Sequence, residues 1–290
     1  MEFLEPFFVM IRSMSSIYST YKDKIIVVAG GASGIGEHLV RQLSVFAKIV
    51  IIMDRNKKAS VRISKELSGE VAIEPVEMTN TKDVQRVLKR VNKKYGQIDY
   101  FFNTAGSFLA GEMRDTPVED WHKITEINLQ PIINGTAAIY DIMQANGHGH
   151  IINVASSAGL FPVPAMSIYG STKYAVVGLS LGLRIEAKTL NINVSVVCPT
   201  IVETPLYDTA IYDGVDKSKA LNFLKHNARV QQPQKTASRI IASTAKNRAI
   251  IHTARSTRLA WALYRFSPQL YIVASRRFIT LYRKTLRTAK

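Results

Sequence analysis

Cysteine is almost missing from this 290-residue chain: there is one, Cys198. No disulfide can form within the chain, so its core has to hold the fold, as suits a reducing compartment. Cys198 lies in the apolar run Val194–Cys198 with nothing beside it to activate a thiolate, and reads as a small buried hydrophobe, not a nucleophile. Long hydrophobic runs are missing too. No stretch reaches the roughly 18 apolar residues that a bilayer span needs. The apolar start Phe3–Ile11 is short, is accompanied by Glu2 and Glu5, and lacks a basic leader, so it makes a poor signal or transit sequence. It is expected to form a short helix that packs on the body or touches a membrane surface. Metal-ligand spacing is equally scarce. His148 and His150 flank Gly149 with no Cys partner and no helical His pair, and read as solvated loop histidines. There is no solenoid repeat and no low-complexity tract.

Acidic residues are missing locally. Beyond Asp216 there is none, against 17 Lys and Arg, whereas residues 1–216 carry 21 basic and 22 acidic side chains. The net charge of +16 therefore belongs to the last quarter of the chain. Such an asymmetry describes an appended surface, not a fold.

The chain that remains is 47% hydrophobic and can bury one large core. Apolar runs at Ile25–Ala29, Lys48–Met53, Val71–Val76, Asp99–Asn103, Ile151–Ala155 and Asn193–Cys198 read as strands. Helical spacing fills the gaps, at Glu37–Phe46, Lys57–Ser68, Thr81–Tyr95, from Val118 toward Gln144, and at Ser167–Thr189. Regular alternation of this kind predicts an α/β fold, a Rossmann-type doubly wound parallel sheet. It is expected as a single domain over residues 24–234, between an N-terminal extension (1–23) and a basic helical C-terminal extension (235–290) with a break at Pro268.

Two constellations carry chemistry. The first is Gly30-Gly31-Ala32-Ser33-Gly34-Ile35-Gly36 between a strand and a helix. A tight turn lets the backbone approach a pyrophosphate, and the new helix offers unpaired N–H groups and its positive end. The spacing differs from the G-x-G-x-x-G of two-domain dehydrogenases. Asp54, ending the second strand, is placed to accept hydrogen bonds from an adenosine ribose and to repel a 2′-phosphate, which favours NAD. Arg55 beside it could meet that phosphate, so NADP stays the alternative. The second constellation is Tyr169 and Lys173, four residues apart on one helix face. A phenol with an ordinary pKa of about 10 needs a neighbouring cation to shuttle protons near neutrality.

With Asn103-Thr104-Ala105-Gly106, Asn128, Asn153–Gly159 and Pro199–Thr204 occurring in this order, residues 24–205 resemble the short-chain dehydrogenase/reductase family. That resemblance implies a hydride-transferring site. Tyr169 would be the general acid/base. Ser156, thirteen residues before it, would hold the substrate oxygen, with Ser157 as its rival. Lys173 would bind the nicotinamide ribose and lower the tyrosine pKa. Asn128, at a helix irregularity, would hold a water linking Lys173 to solvent. By the same resemblance the cofactor would meet Gly30, Ser33, Gly34, Ile35 and Gly36, then Asp54 and Arg55, with Glu77 and Met78 beside the adenine. Asn103, Ala105 and Gly106 would lie under adenine and ribose, and Pro199, Val202 and Thr204 would hold the carboxamide. Glu77-Met78 stands where the family commonly has Asp-Val, Ala29 replaces a threonine, and Thr200 a glycine. Trp121 matches a packing position.

The segment 205–225 corresponds to the family's variable substrate lid, and Leu206, Tyr207, Ile211, Tyr212, Leu221, Phe223 and Leu224 would make it apolar. The implied activity is oxidation or reduction of a hydrophobic alcohol or ketone, lipid-, steroid- or retinoid-like. The alternatives are an NADP-dependent carbonyl reductase or a non-catalytic dinucleotide sensor or membrane adaptor. The family also suggests a homodimer or homotetramer through the two long helices. Residues 246–290, where Arg and Lys alternate with Trp261, Tyr264, Phe266, Tyr271, Phe278 and Tyr282, admit three readings. They are an anionic membrane surface, a nucleic-acid surface, and a helical cover over the site or a subunit contact. The first and third together are favoured. Nucleic acid comes last for want of a reading module. The expected setting is cytoplasmic, with peripheral membrane association.

Overall fold

In the computed structural model, residue 17 and residues 19–227 and 230–287 are described. The expected helix at Phe3–Ile11 lies outside them. Five strand–helix units open the chain: β1 (Ile25–Ala29) with α1 (Gly34–Leu43), β2 (Ile49–Met53) with α2 (Lys57–Lys65), and β3 (Val71–Glu74) with α3 (Thr81–Tyr95). Then come β4 (Tyr100–Asn103), a short β5 (Leu109–Gly111) and α4 (Val118–Asn146), and β6 (Gly149–Val154) with α5 (Ser167–Glu186). They are followed by β7 (Ile192–Cys198), β8 (Ile211–Asp213), α6 (Lys217–Asn227), α7 (Pro233–Thr244), β9 (Ile250–His252), α8 (Arg255–Phe266) and α9 (Pro268–Thr285). All pairings in the seven-stranded sheet are parallel, in the order β3-β2-β1-β4-β6-β7-β9.

The central strands are apolar on both faces because helices cover both. Ile25, Val27 and Ala29 point to one side, with Phe101 and Ile151, and pack on Val84, Val87 and Leu88 of α3 and Ile139 and Met143 of α4. Ile26 and Val28 point to the other, with Phe102 and Ile152, and pack on Leu39, Val40 and Leu43 of α1. This period of two in the strands, against i, i+3, i+4 in the helices, is what the sequence pattern anticipated.

The C-terminal boundary differs from expectation. Residues 235–252 are part of the domain: Ala237, Ile240 and Ile241 of α7 enter the core beside α1, and β9 forms the edge of the sheet, Val196 opposite Ile250. The extension proper is α8 and α9. The reason is local: β9 has three residues, too few for a periodicity to show, and Lys235 and Arg239 mask the apolar stripe of α7. Tyr21, expected in an N-terminal extension, is also part of the core, its hydroxyl donating to the Ile241 carbonyl at 2.9 Å. The break between α8 and α9 falls where Pro268 predicts it, with Ser267 accepting the Leu270 N–H at 3.3 Å.

Candidate active site

β2 and β4 flank β1 on opposite sides, so the chain leaves the C-terminal ends of β1 and β4 in opposite directions and opens a crevice there. A cavity of about 720 Å³ occupies it. At its inner wall the glycine turn reverses the chain: Gly30, at φ +75°, donates to the Met53 carbonyl at 2.8 Å. Gly36 permits closest approach, since a Cβ there would stand 2.1 Å from the Gly30 carbonyl oxygen. α1 begins three residues earlier than the sequence pattern suggested, at Gly34, so the turn itself supplies its first N–H groups. The first helical bond is Glu37 N–H to the Ser33 carbonyl, 3.0 Å, and Ser33 makes no side-chain cap. Gly34, Ile35 and Gly36 all line the cavity, and their N–H groups have no helical acceptor. That is an anion cradle.

Asp54 lines the cavity at the end of β2, and its carboxylate accepts from Ala32 N–H at 3.0 Å and Asn56 N–H at 2.8 Å. Each oxygen keeps a lone pair for a further donor. Arg55 faces Glu77 at 3.6 Å, and Glu77 also accepts from the Thr79 hydroxyl at 3.1 Å. The two residues expected to touch adenine and ribose thus meet each other at the rim. Met78, Ala105, Gly106, Pro199, Val202 and Thr204 line the cavity as anticipated.

Asn103 does not. It is fully buried behind the wall, donating to the Pro131 carbonyl at 3.1 Å, because the last residue of a central strand points into the helix layer. Asn128 also stands behind the wall: its Oδ1 accepts from Ser107 N–H at 2.7 Å and its Nδ2 donates to Thr172 Oγ1 at 3.1 Å. Gly106 nevertheless joins it to the site, since a Cβ there would lie 3.0 Å from Asn128 Oδ1 and 3.1 Å from Lys173 Nζ. Three residues on, Pro131 offers no N–H to the carbonyl of Ile127, a cavity-lining residue.

Tyr169 and Lys173, on one face of α5, both line the cavity, with Nζ 5.7 Å from the centroid of the phenol ring. Ser156 lines the cavity beside Tyr169 and accepts from Ala158 N–H at 3.2 Å, so it also caps its own turn. Ser157 lines the cavity too, its N–H held by the Pro199 carbonyl at 2.7 Å. Burial pushes the Tyr169 phenol up to about 12, against the lowering effect of Ser156. Burial also pulls the Lys173 ammonium down to about 8, against the Cys198 sulfur. Removing water penalises the charged form of each, so burial moves the two groups in opposite directions.

At the outer end the wall is apolar, with Phe108 edge-on to both Tyr169 and Tyr207 at 5.0 and 5.3 Å between ring centroids. Within the expected lid, Pro205, Leu206, Tyr207 and Thr209 line the cavity; of its apolar residues named from the sequence, Leu206 and Tyr207 do so among the described side chains. Ile211 and Tyr212 lie in β8, tied in parallel to β5, and Phe223 packs on Phe278 of α9 at 6.2 Å. The side chain of Leu224 is outside the described residues. Trp121 packs beside Phe108 and Ile168. Sequence reasoning missed Ser256, Thr257 and Ala260, which bring the first turns of α8 to the cavity wall. No motif marks them, and only the course of β9 delivers them. His148 sits 3.1 Å from Asp99, and His150, which burial pulls down to about 3, lies 2.8 Å from Ser195.

A sequence model of the short chain dehydrogenases matches residues 24–213, well over half of the chain. The chain belongs to the short-chain dehydrogenase family. An uncharacterized oxidoreductase of Staphylococcus aureus is 30% identical over 198 residues, covering 68% of this chain and 85% of the relative. A second, from Staphylococcus epidermidis, is 28% identical over 201 residues, 69% and 87% of the two chains. Among solved structures, a short chain dehydrogenase/reductase from Burkholderia phymatum in complex with NAD superposes with a TM-score of 0.77 at 23% identity, over 86% of this chain and 95% of the other. Serine dehydrogenase complexed with NADP+ does so at 0.70 and 25%, over 79% and 93%. This dehydrogenase is thus an oxidoreductase with the family's nicotinamide cofactor, NAD or NADP. Its residues fit such a group: the glycine cradle, the space kept open at Gly106, and the buried Thr200 hydroxyl that has no partner within the protein.

Proposed function

We propose that this dehydrogenase moves a hydride between NAD(H) and the carbinol or carbonyl carbon of a hydrophobic alcohol or ketone. One observation carries the reading. The phenol of Tyr169, the Ser156 hydroxyl and the Lys173 ammonium share a cavity with an anion-cradling helix start and a strand-end carboxylate. When bound, the dinucleotide supplies the hydride acceptor or donor. Gly34–Gly36 would hold its pyrophosphate, Asp54 its adenosine ribose, and Lys173 the ribose at the reacting end.

For the proton, Tyr169 and Ser156 together present two hydroxyls to one substrate oxygen. In reduction the phenol donates as the carbon receives hydride. In oxidation it accepts, and the nearby ammonium stabilises the charge that develops. Burial excludes water and makes that cation worth more at 5.7 Å than it would be in solvent. Phe161, Val163, Met166, Leu206 and Ala260 line the outer cavity, which supports a hydrophobic substrate. Asp54 supports NAD, and Arg55, engaged with Glu77, is less available to a 2′-phosphate. Ile133 on α4 and Leu179 and Ile185 on α5 are exposed, which supports self-assembly through those helices.

Tyr169→Phe removes one oxygen atom from the wall. Turnover is expected to fall by about 10²–10⁴-fold while the affinity for NADH, read by fluorescence titration, changes by less than about twofold. A variant that turns over like the wild type removes the reading. A wild type that binds NADH yet oxidises and reduces nothing in a broad alcohol and ketone screen is the non-catalytic sensor instead.

A further inference from the structure

The two helices that follow the sheet have an unusual outer surface. Fifteen large apolar side chains are exposed among the described residues, and eight of them lie on α8 and α9. On α8 they are Leu259, Leu263 and Phe266, spaced i, i+4, i+7, with Phe266 88% exposed. On α9, Leu270, Val273 and Leu281 are exposed as well. A soluble surface seldom gathers so many neighbouring apolar groups without a use for them.

The charges around them are of one sign. Neither helix contains an acidic residue. The cations on the body side are spoken for: Arg283 forks onto Glu112 at 2.8 Å, and Arg287 reaches Asp115 at 3.1 Å. Arg258, Arg276, Arg277 and Lys284 form no salt bridge among the described residues and stand exposed, as does Arg265, whose guanidinium lies over the Trp261 ring at 5.2 Å. Beneath, Trp261, Tyr264 and Tyr271 fix the pair of helices to the body, Tyr271 meeting Phe161 at 5.4 Å and donating to the Pro162 carbonyl at 3.1 Å.

The geometry points to an anionic phospholipid surface as the occupant of this face. A bilayer interface takes apolar side chains below the headgroups and cations at them, which is the pairing displayed here. A second copy of the chain would bring cations against cations with no carboxylate on either helix to offset them. A nucleic acid would satisfy the arginines and leave Leu259, Leu263 and Phe266 in water. No helix among the described residues is long and apolar enough to cross a membrane, so the pair would lie in the interfacial plane.

The face adjoins the site. α8 contributes Ala260 to the main cavity, and a second cavity of about 340 Å³ opens between α9 and residues 162–167. Met113, Ile272, Ile279 and Arg276 line it, and Val163 belongs to both cavities. Docking stands independently of the site's chemistry. Only its corollary, that a lipophilic substrate enters from the bilayer side, rests on the function proposed above.

The test is flotation of the full chain with vesicles of phosphatidylcholine alone, or with about one-third phosphatidylserine. Wild type is expected to float with the anionic vesicles at least tenfold more tightly than with neutral ones, and to lose that preference in about 0.5 M salt. The double variant Leu259→Ser, Phe266→Ser and the double variant Arg276→Gln, Arg277→Gln should each weaken anionic binding about tenfold with an unchanged melting temperature. Tyr169→Phe should float like the wild type, which separates this surface from the catalytic reading. Three results overturn the proposal: no binding to either vesicle, undiminished binding by the Leu259, Phe266 variant, or a dimer that the same variant abolishes while vesicles stay unbound.

Discussion

Lys173 is buried in a cavity wall with its nitrogen 5.7 Å from the Tyr169 ring centroid, and burial, opposed by the Cys198 sulfur, pulls its ammonium down to about 8. With the ammonium lowered from 10.5 to about 8, carbonyl reduction should lose kcat/KM as pH rises through about 8. Lys173→Arg, whose guanidinium keeps its proton throughout, should be slower but flat from pH 7 to about 10. A variant that keeps the alkaline limb places the titration elsewhere. The same shifts act on stability with opposite signs. The folded chain gives up the Lys173 proton before the unfolded chain does, so that residue adds stability as pH rises from about 8 to 10.5. Tyr169, raised from 10.0 to about 12, removes stability as pH rises across that interval. Asp54 stands at the other end of the cavity. Losing its carboxylate in Asp54→Ala should shift the NAD to NADP ratio of kcat/KM toward NADP by about 10- to 100-fold. A wild type that already prefers NADP would show that Arg55 leaves Glu77 for the 2′-phosphate. Of these residues, Tyr169, Lys173, Ser156 and Asp54 were legible as motif positions. The effect of burial on both titrating groups was not, because desolvation depends on what packs around a group and not on its spacing.

Among the elements, α3 was read to its ends because Val84, Val87, Leu88 and Val91 make a clean stripe between the Asn80 cap and Gly96. β9 was not read, though it closes the sheet and carries the chain to α8. Its importance can be measured. A chain ending at residue 248 loses β9 and leaves the Val196–Cys198 edge of β7 unpaired. It should fail to unfold cooperatively in a circular-dichroism melt. A chain ending at Ser267 keeps the whole sheet and should retain a cooperative, lower transition. Equal behaviour of the two would mean that β9 is dispensable and that the boundary expected at 235 was sound. The lid was likewise half legible: Leu206 and Tyr207 reach the cavity, but the β5–β8 ladder turns Ile211 and Tyr212 into a packed wall.

At the scale of the whole molecule, every acidic residue lies in the body, and the pair of helices on its outer rim carries cations alone. The charge asymmetry needed no structure, since Asp216 is the last acid in the chain. Composition could not say which cations are occupied. The fold divides them, pairing Arg283 and Arg287 with Glu112 and Asp115 and leaving Arg276 and Arg277 outside. What the amino-acid order determined by itself was the family, the parallel doubly wound sheet and the pairing of Tyr169 with Lys173, because strand period, turn glycines and an i, i+4 pair are local properties. Tertiary structure alone decided that Asn103 and Asn128 stand behind the wall, that α8 helps to line the cavity, and which face of the extension meets water. Each of those depends on contacts between segments far apart in sequence, and local spacing carries no record of them.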